Sequence, residues 1–231
     1  MAESGDYIRA YMAQRPVEPD RATLLIIDMQ YATGSRQGAL AQKLAAEGSS
    51  VGDYRFDRIE RSVLPQTLRL RELFRTAGRP VLHVTVGAAQ PDASDAPVHM
   101  RKLFVEFRNH IGSREHEILD ELKPLAGEHV LRKTTIGAFA STNIDSLLRA
   151  LGCEQLYLVG VSTNMCVEST AREAADRGYA VTLIEDACGT THPELHEVTL
   201  RNFQRLFGRV RSTADVFSEI SPGAAPGIRQ A

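Results

Sequence analysis

The sequence predicts an α/β domain with a Rossmann-like, three-layer α/β/α architecture, built on a mostly parallel, doubly wound sheet of about six strands. Two observations carry that expectation. The runs ATLLIID (22–28), PVLHVTV (80–86), QLYLVGV (155–161) and AVTLIED (180–186) are continuously apolar rather than alternating, as strands covered on both faces must be. Helical patterns separate these runs, so each strand–helix–strand passage reads as a parallel crossover. HVLRK (129–133) and GRVRS (208–212) are weaker strand candidates. With 231 residues, 43% of them hydrophobic, the chain can bury one substantial core, which implies a single domain over residues 21–220.

Taken in order, residues 1–20 read as an N-terminal arm, because Pro16 and Pro19 break any helix just before the first strand. Residues 33–53, TGSRQGALAQKLAAEGSSVGD, interrupt the first crossover with a short helix between glycines and read as an inserted lid. A helix over 57–77 follows from Ile59, Val63, Leu64, Leu68, Leu70 and Phe74 falling nearly all on one stripe, closed by Gly78 and Pro80. Residues 143–151, 165–177 and 193–207 show the same signature, and Gly152 and Gly178 end the first two. The segment 221–231, rich in Pro and Gly, reads as a flexible tail.

Composition narrows the partners. The net charge of -2 arises from 27 basic and 29 acidic residues with no basic block, which argues against nucleic acid or an anionic membrane and for a small molecule. No apolar run approaches the roughly 20 residues of a bilayer span, and the N-terminus lacks a signal-peptide core, so a cytoplasmic protein is expected. Cys153, Cys166 and Cys188 are odd in number and form no CxxC, which indicates neither a disulfide framework nor a zinc knuckle. No GxGxxG or Walker loop follows any strand, which disfavours a nucleotide.

In doubly wound sheets, ligands bind beyond the carboxyl ends of the strands. Asp28 ends the first strand, Lys133 ends HVLRK, and Cys166 opens the helix after QLYLVGV, so all three fall on one rim. A thiol attacks only as thiolate, and a helix N-terminus and a lysine would both lower its pKa from about 8.5. A nearby carboxylate can take the thiol proton and return one to a leaving amine. Each residue alone has a plainer reading: a capping aspartate, a solvated lysine, a small buried thiol. Spacing by itself does not show that they meet.

The segments LLIIDMQ, KTTIGAF (133–139) and GVSTNMCVESTAREAADRGYAVTLIEDACGTT resemble the three blocks of the isochorismatase-like cysteine hydrolases, over residues 20–215 in order. That superfamily includes nicotinamidases, N-carbamoylsarcosine amidases, ureidoacrylate amidases, and biuret and triuret hydrolases. The resemblance implies a triad of Asp28, Lys133 and Cys166, a cis peptide between Val161 and Ser162, and an oxyanion hole made by the backbone N–H groups of Ser162 and Cys166. It also implies a homodimer or homotetramer. The expected function is a cofactor-free cysteine amidohydrolase that cleaves a C–N bond of a small amide or ureide through a thioester, releasing ammonia or an amine. Two rivals stand beside it: an isochorismatase-type vinyl-ether hydrolase, and a noncatalytic thiol sensor or binding protein.

Departures from the family pattern bear on metal and substrate. Metal-bearing nicotinamidases carry an Asp-x-His pair and a further His after the second strand, which HVTVGAAQPDASDAPVH lacks, so no metal is expected. His192 and His196 are four apart, a chelating spacing, but His192 precedes Pro193 at a helix start and reads better as a cap. Where many relatives continue DxQxDF, this chain has DMQYATGSRQGAL, which makes Tyr31, Arg36 and Gln37 substrate-binding candidates against the alternative of a solvated loop. Phe139 either packs over a planar ligand or joins the core. Cys153 and Cys188 read as packing thiols, Glu168, Thr170 and Glu173 as ordinary residues of the helix after Cys166, and Asp186 as a cap of the GTTHP turn.

Overall fold

The structure, a computed structural model, describes residues 7–11 and 15–221. Six strands, β1 (Ala22–Ile27), β2 (Val81–Val86), β3 (His129–Lys133), β4 (Gln155–Val161), β5 (Ala180–Gly189) and β6 (Arg209–Arg211), form one sheet in the order β3-β2-β1-β4-β5-β6. Every pairing is parallel. The chain starts at the centre, winds outward through β2 to β3, then crosses to the other side of β1. The switch point therefore lies between β1 and β4, where a crevice opens at the carboxyl ends.

The continuous apolar runs have a direct cause. Along β1, Leu24 and Ile26 enter one core layer with Phe74 and Tyr157, while Leu25 and Ile27 enter the opposite layer with Leu158 and Phe203. The helices, in chain order, are α1 (Tyr31–Gly34), α2 (Ala39–Ala46), α3 (Val51–Arg58), α4 (Leu64–Thr76), α5 (Val98–Glu106), α6 (Ile144–Ala150), α7 (Glu168–Asp176), α8 (Pro193–Leu206) and α9 (Thr213–Ile220). Residues of α4 and α9 fill the first layer, and residues of α6, α7 and α8 fill the second.

Several boundaries differ from expectation. The helix expected over 57–77 begins earlier: α3 runs through a π turn at Ile59–Val63 into α4. Strand β5 continues to Gly189, past its polar residues, because Cys188 and Gly189 still pair with Gly160 and Val161 of β4. Helix α9 is an addition, started by a capping box in which Ser212 and Asp215 bond each other's backbone N–H. Asp186 serves this helix rather than the GTTHP turn, accepting from the Thr213 N–H at 2.9 Å and its hydroxyl at 2.8 Å. Of the expected arm, Pro16 is tied down where its carbonyl accepts from Gln155 Nε2 at 2.6 Å, and of the expected tail, residues 222–231 lie outside the described residues. No helix among the described residues is long and apolar enough to cross a membrane.

Three histidines resist protonation. Burial holds His83, His116 and His196 down to about 4, against about 6.5 for the unfolded side chain. The unfolded chain therefore binds more protons than the folded one as pH falls from about 6.5 to about 4, and stability should drop through that window. Thermal melts should show a plateau above about pH 7 and a declining melting temperature below about pH 6. A melting temperature that stayed flat down to about pH 4.5 would contradict this assignment.

Candidate active site

Asp28 follows the last residue of β1. Its φ of 52° lies in the left-handed region, which short polar side chains tolerate, and the turn lifts the carboxylate off the strand line. Its own N–H still donates to Val84 O at 2.8 Å. Two residues on, the Gln30 side chain clamps the turn to β2: Oε1 accepts from Val86 N–H at 2.7 Å, and Nε2 donates to Val86 O at 3.1 Å and His116 O at 2.8 Å. Gly160 of β4 passes this point so closely that a Cβ there would lie 2.0 Å from Ile27 O.

Lys133 is the final residue of β3, two strands away, and its long stem spans β2 to reach the same point. The ammonium is fully buried, 2.9 Å from Asp28 Oδ2, and it donates to Thr135 O at 3.0 Å. The loop beyond it is held from α7. Thr170 Oγ1 accepts from Ala138 N–H at 3.1 Å, and Glu173 Oε2 accepts from Phe139 N–H at 2.8 Å. A side chain at Gly137 would collide with that carboxylate, since its Cβ would sit 2.3 Å from Glu173 Oε2. Thr170 and Glu173 thus anchor the loop that follows the lysine, a role that the sequence reading gave to neither.

The peptide between Val161 and Ser162 is cis, and a π turn at Thr163–Val167 leads into α7. That turn carries Cys166, half-buried, into electrostatic contact with both Asp28 and Lys133. The contacts around the Asp28 carboxylate fall short of well-aligned hydrogen bonds, so it keeps capacity to accept a proton.

The electrostatics correct one expectation. The thiol was expected to be lowered by the lysine and the helix end, but burial pushes it up to about 12, and the Asp28 charge adds to this while Lys133 opposes it. Burial also raises Asp28 above the ordinary carboxylate range, against the pull of Lys133 and Cys166. For Lys133, burial disfavours the charge, yet the facing carboxylate and thiol outweigh it and raise the pKa. The thiol is therefore neutral at ordinary pH.

The structure adds a fourth member. Arg55 of α3 is only 3% exposed; its Nε donates to Thr33 O at 2.9 Å and its Nη1 to Ser162 Oγ at 2.7 Å. Cys166 and Asp28 both act on its charge. A signal for it existed: Gly52, Arg55, Phe56, Ile59 and Val63 share one buried helical stripe, which puts the arginine on the inward face.

The four substrate-binding candidates lie as follows. Tyr31 is buried; its hydroxyl accepts from Asp120 N–H at 3.4 Å and its ring lies 3.6 Å from the Arg114 guanidinium. Arg36 is engaged by Asp57 and by Glu60, the latter at 3.0 Å, and Gln37 bonds Ser35 Oγ through its backbone N–H at 3.1 Å. Phe139 belongs to the core layer on which Cys166 packs, with its ring centroid 6.0 Å from that of Tyr179. Cys153 and Cys188 are buried beside Thr23 and Leu158 O. His192 precedes α8 as its N-cap residue, whereas His196 is buried between Thr163 Oγ1 at 2.9 Å and Arg58 Nη2 at 2.8 Å. No group of three or more His, Cys, Asp or Glu among the described residues could hold a metal ion.

The family model of the isochorismatase domain matches residues 22–215. The chain belongs to the isochorismatase family. The ureidoacrylate amidohydrolase RutB of Caulobacter segnis is 33% identical over 90% of this chain and 90% of its own length. The crystal structure of an isochorismatase family protein from Desulfovibrio vulgaris is 28% identical, covers 85% of this chain and 96% of its own, and superposes with a TM-score of 0.70. N-carbamoylsarcosine amidase of Thermoplasma acidophilum is 25% identical over 84% of this chain and 96% of its own, with a TM-score of 0.62. The protein is an isochorismatase-family hydrolase with the Rossmann-like sheet that the sequence predicts.

Proposed function

We propose that this isochorismatase-family hydrolase is a cysteine amidohydrolase that opens a C–N bond of a small amide or ureide through a thioester. Ureidoacrylate, named for the relative from Caulobacter segnis, is the first candidate substrate. One observation carries the reading: a buried carboxylate with accepting capacity lies 2.9 Å from a buried ammonium, and both interact electrostatically with a half-buried thiol.

In this reading, Asp28 accepts the Cys166 proton as the sulfur attacks the substrate carbonyl. The proton transfer accompanies the attack because the resting thiol, at about 12, is not ionised beforehand. A raised carboxylate is the stronger base for that step. The tetrahedral oxyanion is held by the N–H groups of Ser162 and Cys166. Asp28 then protonates the leaving nitrogen, the C–N bond breaks, and ammonia or an amine departs. Water, deprotonated by Asp28, attacks the thioester and restores the thiol. Lys133 opposes the burial penalty on the Asp28 charge between steps, and residues 33–53 act as a cover that leads into Arg55.

A screen for ammonia release over ureidoacrylate, carbamoyl-amino acids, biuret, triuret and nicotinamide tests the proposal. At least one substrate should turn over in the wild type, and the Cys166→Ala variant should be inactive on it. Full turnover by Cys166→Ala, or cleavage confined to a vinyl ether, would overturn the reading.

A further inference from the structure

Arg55 poses a charge imbalance. Asp28 and Lys133 form a pair whose charges cancel, and the thiol is neutral at ordinary pH, since burial holds it near 12. The guanidinium adds one more positive charge in the same enclosure, and no salt bridge joins it to any Asp or Glu among the described residues. Its hydrogen bonds engage Nε and Nη1, each with a neutral acceptor, while Nη2 makes none among the described residues. A buried charge whose neighbouring carboxylate, Asp28, is already paired with Lys133 is expensive, and burial lowers the guanidinium to about 10. It nevertheless remains a cation at neutral pH.

We infer that Arg55 is a specificity-determining residue that selects substrates bearing a carboxylate, whose negative charge completes the neutrality of the site. The inference rests on the amide- or ureide-cleaving reading above, and narrows it to acids over neutral amides. Geometry supports the role. Arg55 donates to the hydroxyl of Ser162, the residue whose N–H faces the developing oxyanion in that mechanism, so a carboxylate gripped here lies beside the scissile carbonyl. Guanidinium suits the task, because its planar fork offers parallel donors to a carboxylate. The residue also reports on the inserted segment: Nε holds Thr33 O, so anion binding and the fold of residues 33–53 share one side chain.

Two alkylating reagents of nearly the same shape test this without any turnover. Iodoacetate carries a carboxylate and iodoacetamide a neutral amide, and both modify a thiol with loss of iodide. Rates at the Cys166 peptide, read by mass spectrometry, give a ratio from which changes in thiol reactivity cancel. That ratio should fall by about tenfold in Arg55→Met and be largely kept in Arg55→Lys. A second measurement uses the wild type alone: propionate should slow iodoacetamide labelling of Cys166 at concentrations where propionamide does not.

An equal ratio in wild type and Arg55→Met, or equal protection by the two additives, would overturn the inference and leave Arg55 as a brace for Ser162. Failure of the ammonia screen is a separate outcome. An anion-selective thiol with no hydrolysis would sink the amidohydrolase reading but keep the selection, and hydrolysis with an unchanged ratio would do the reverse.

Discussion

Lys133→Met is expected to destabilise the protein by about 3–5 kcal/mol at neutral pH, the usual effect of removing one partner from a buried ion pair. Lys133 and Asp28 are 0% and 2% exposed, so no solvent replaces the missing ammonium. The pH dependence distinguishes this cause from a mere packing defect. Without Lys133, the Asp28 carboxyl rises further and holds a proton in the folded state that the unfolded chain releases near pH 4. Wild-type Asp28 is also raised, so both folded proteins hold the proton just above about pH 4, and the deficit should grow only as pH rises past the wild-type carboxyl's own raised pKa toward neutrality. Urea melts at several pH values measure it. A deficit independent of pH would show that Asp28 does not depend on Lys133.

Asp28→Asn removes the proposed base while keeping the shape of the side chain. Its kcat/KM should fall by about 10⁴-fold, and adding Cys166→Ala should cost little more, because groups that act as one unit do not contribute additively. In the wild type, the acid limb of kcat/KM should sit above the ordinary aspartate value of about 3.9, since burial raises Asp28 and activity needs it ionised. Steady-state ammonia release gives both quantities. Retention of more than about a tenth of the activity in Asp28→Asn would exclude it as the base.

Much of this was legible in the sequence, for physical reasons. A strand covered on both faces must be apolar at every position, so β1, β2 and β4 were each located within one residue, and the rim residues Asp28, Lys133 and Cys166 followed from the strand ends. What stayed hidden was long-range. Arg55 lies in a stretch of α3 whose charges, Asp53, Arg55, Asp57 and Arg58, suggest a solvated helix, and only the buried stripe beneath them marks its inward face. Arg36 looked available because its partners Asp57 and Glu60 stand more than twenty residues downstream. The sign of the thiol shift was equally out of reach. Sequence reveals the lysine and the helix start but not the degree of enclosure, which here decides the outcome.

The claim on which the mechanism rests is that Asp28 and Cys166 share one enclosure, so that the carboxylate suppresses the thiolate until substrate arrives. Ultraviolet thiolate absorbance, taken as the difference between wild type and Cys166→Ala across the pH range, tests it most directly. The expected result is no thiolate at about pH 7 in the wild type, and a transition displaced toward lower pH in Asp28→Asn, where Lys133 and Arg55 act on the sulfur unopposed. A thiolate already present at about pH 7, and unmoved by Asp28→Asn, would contradict the account.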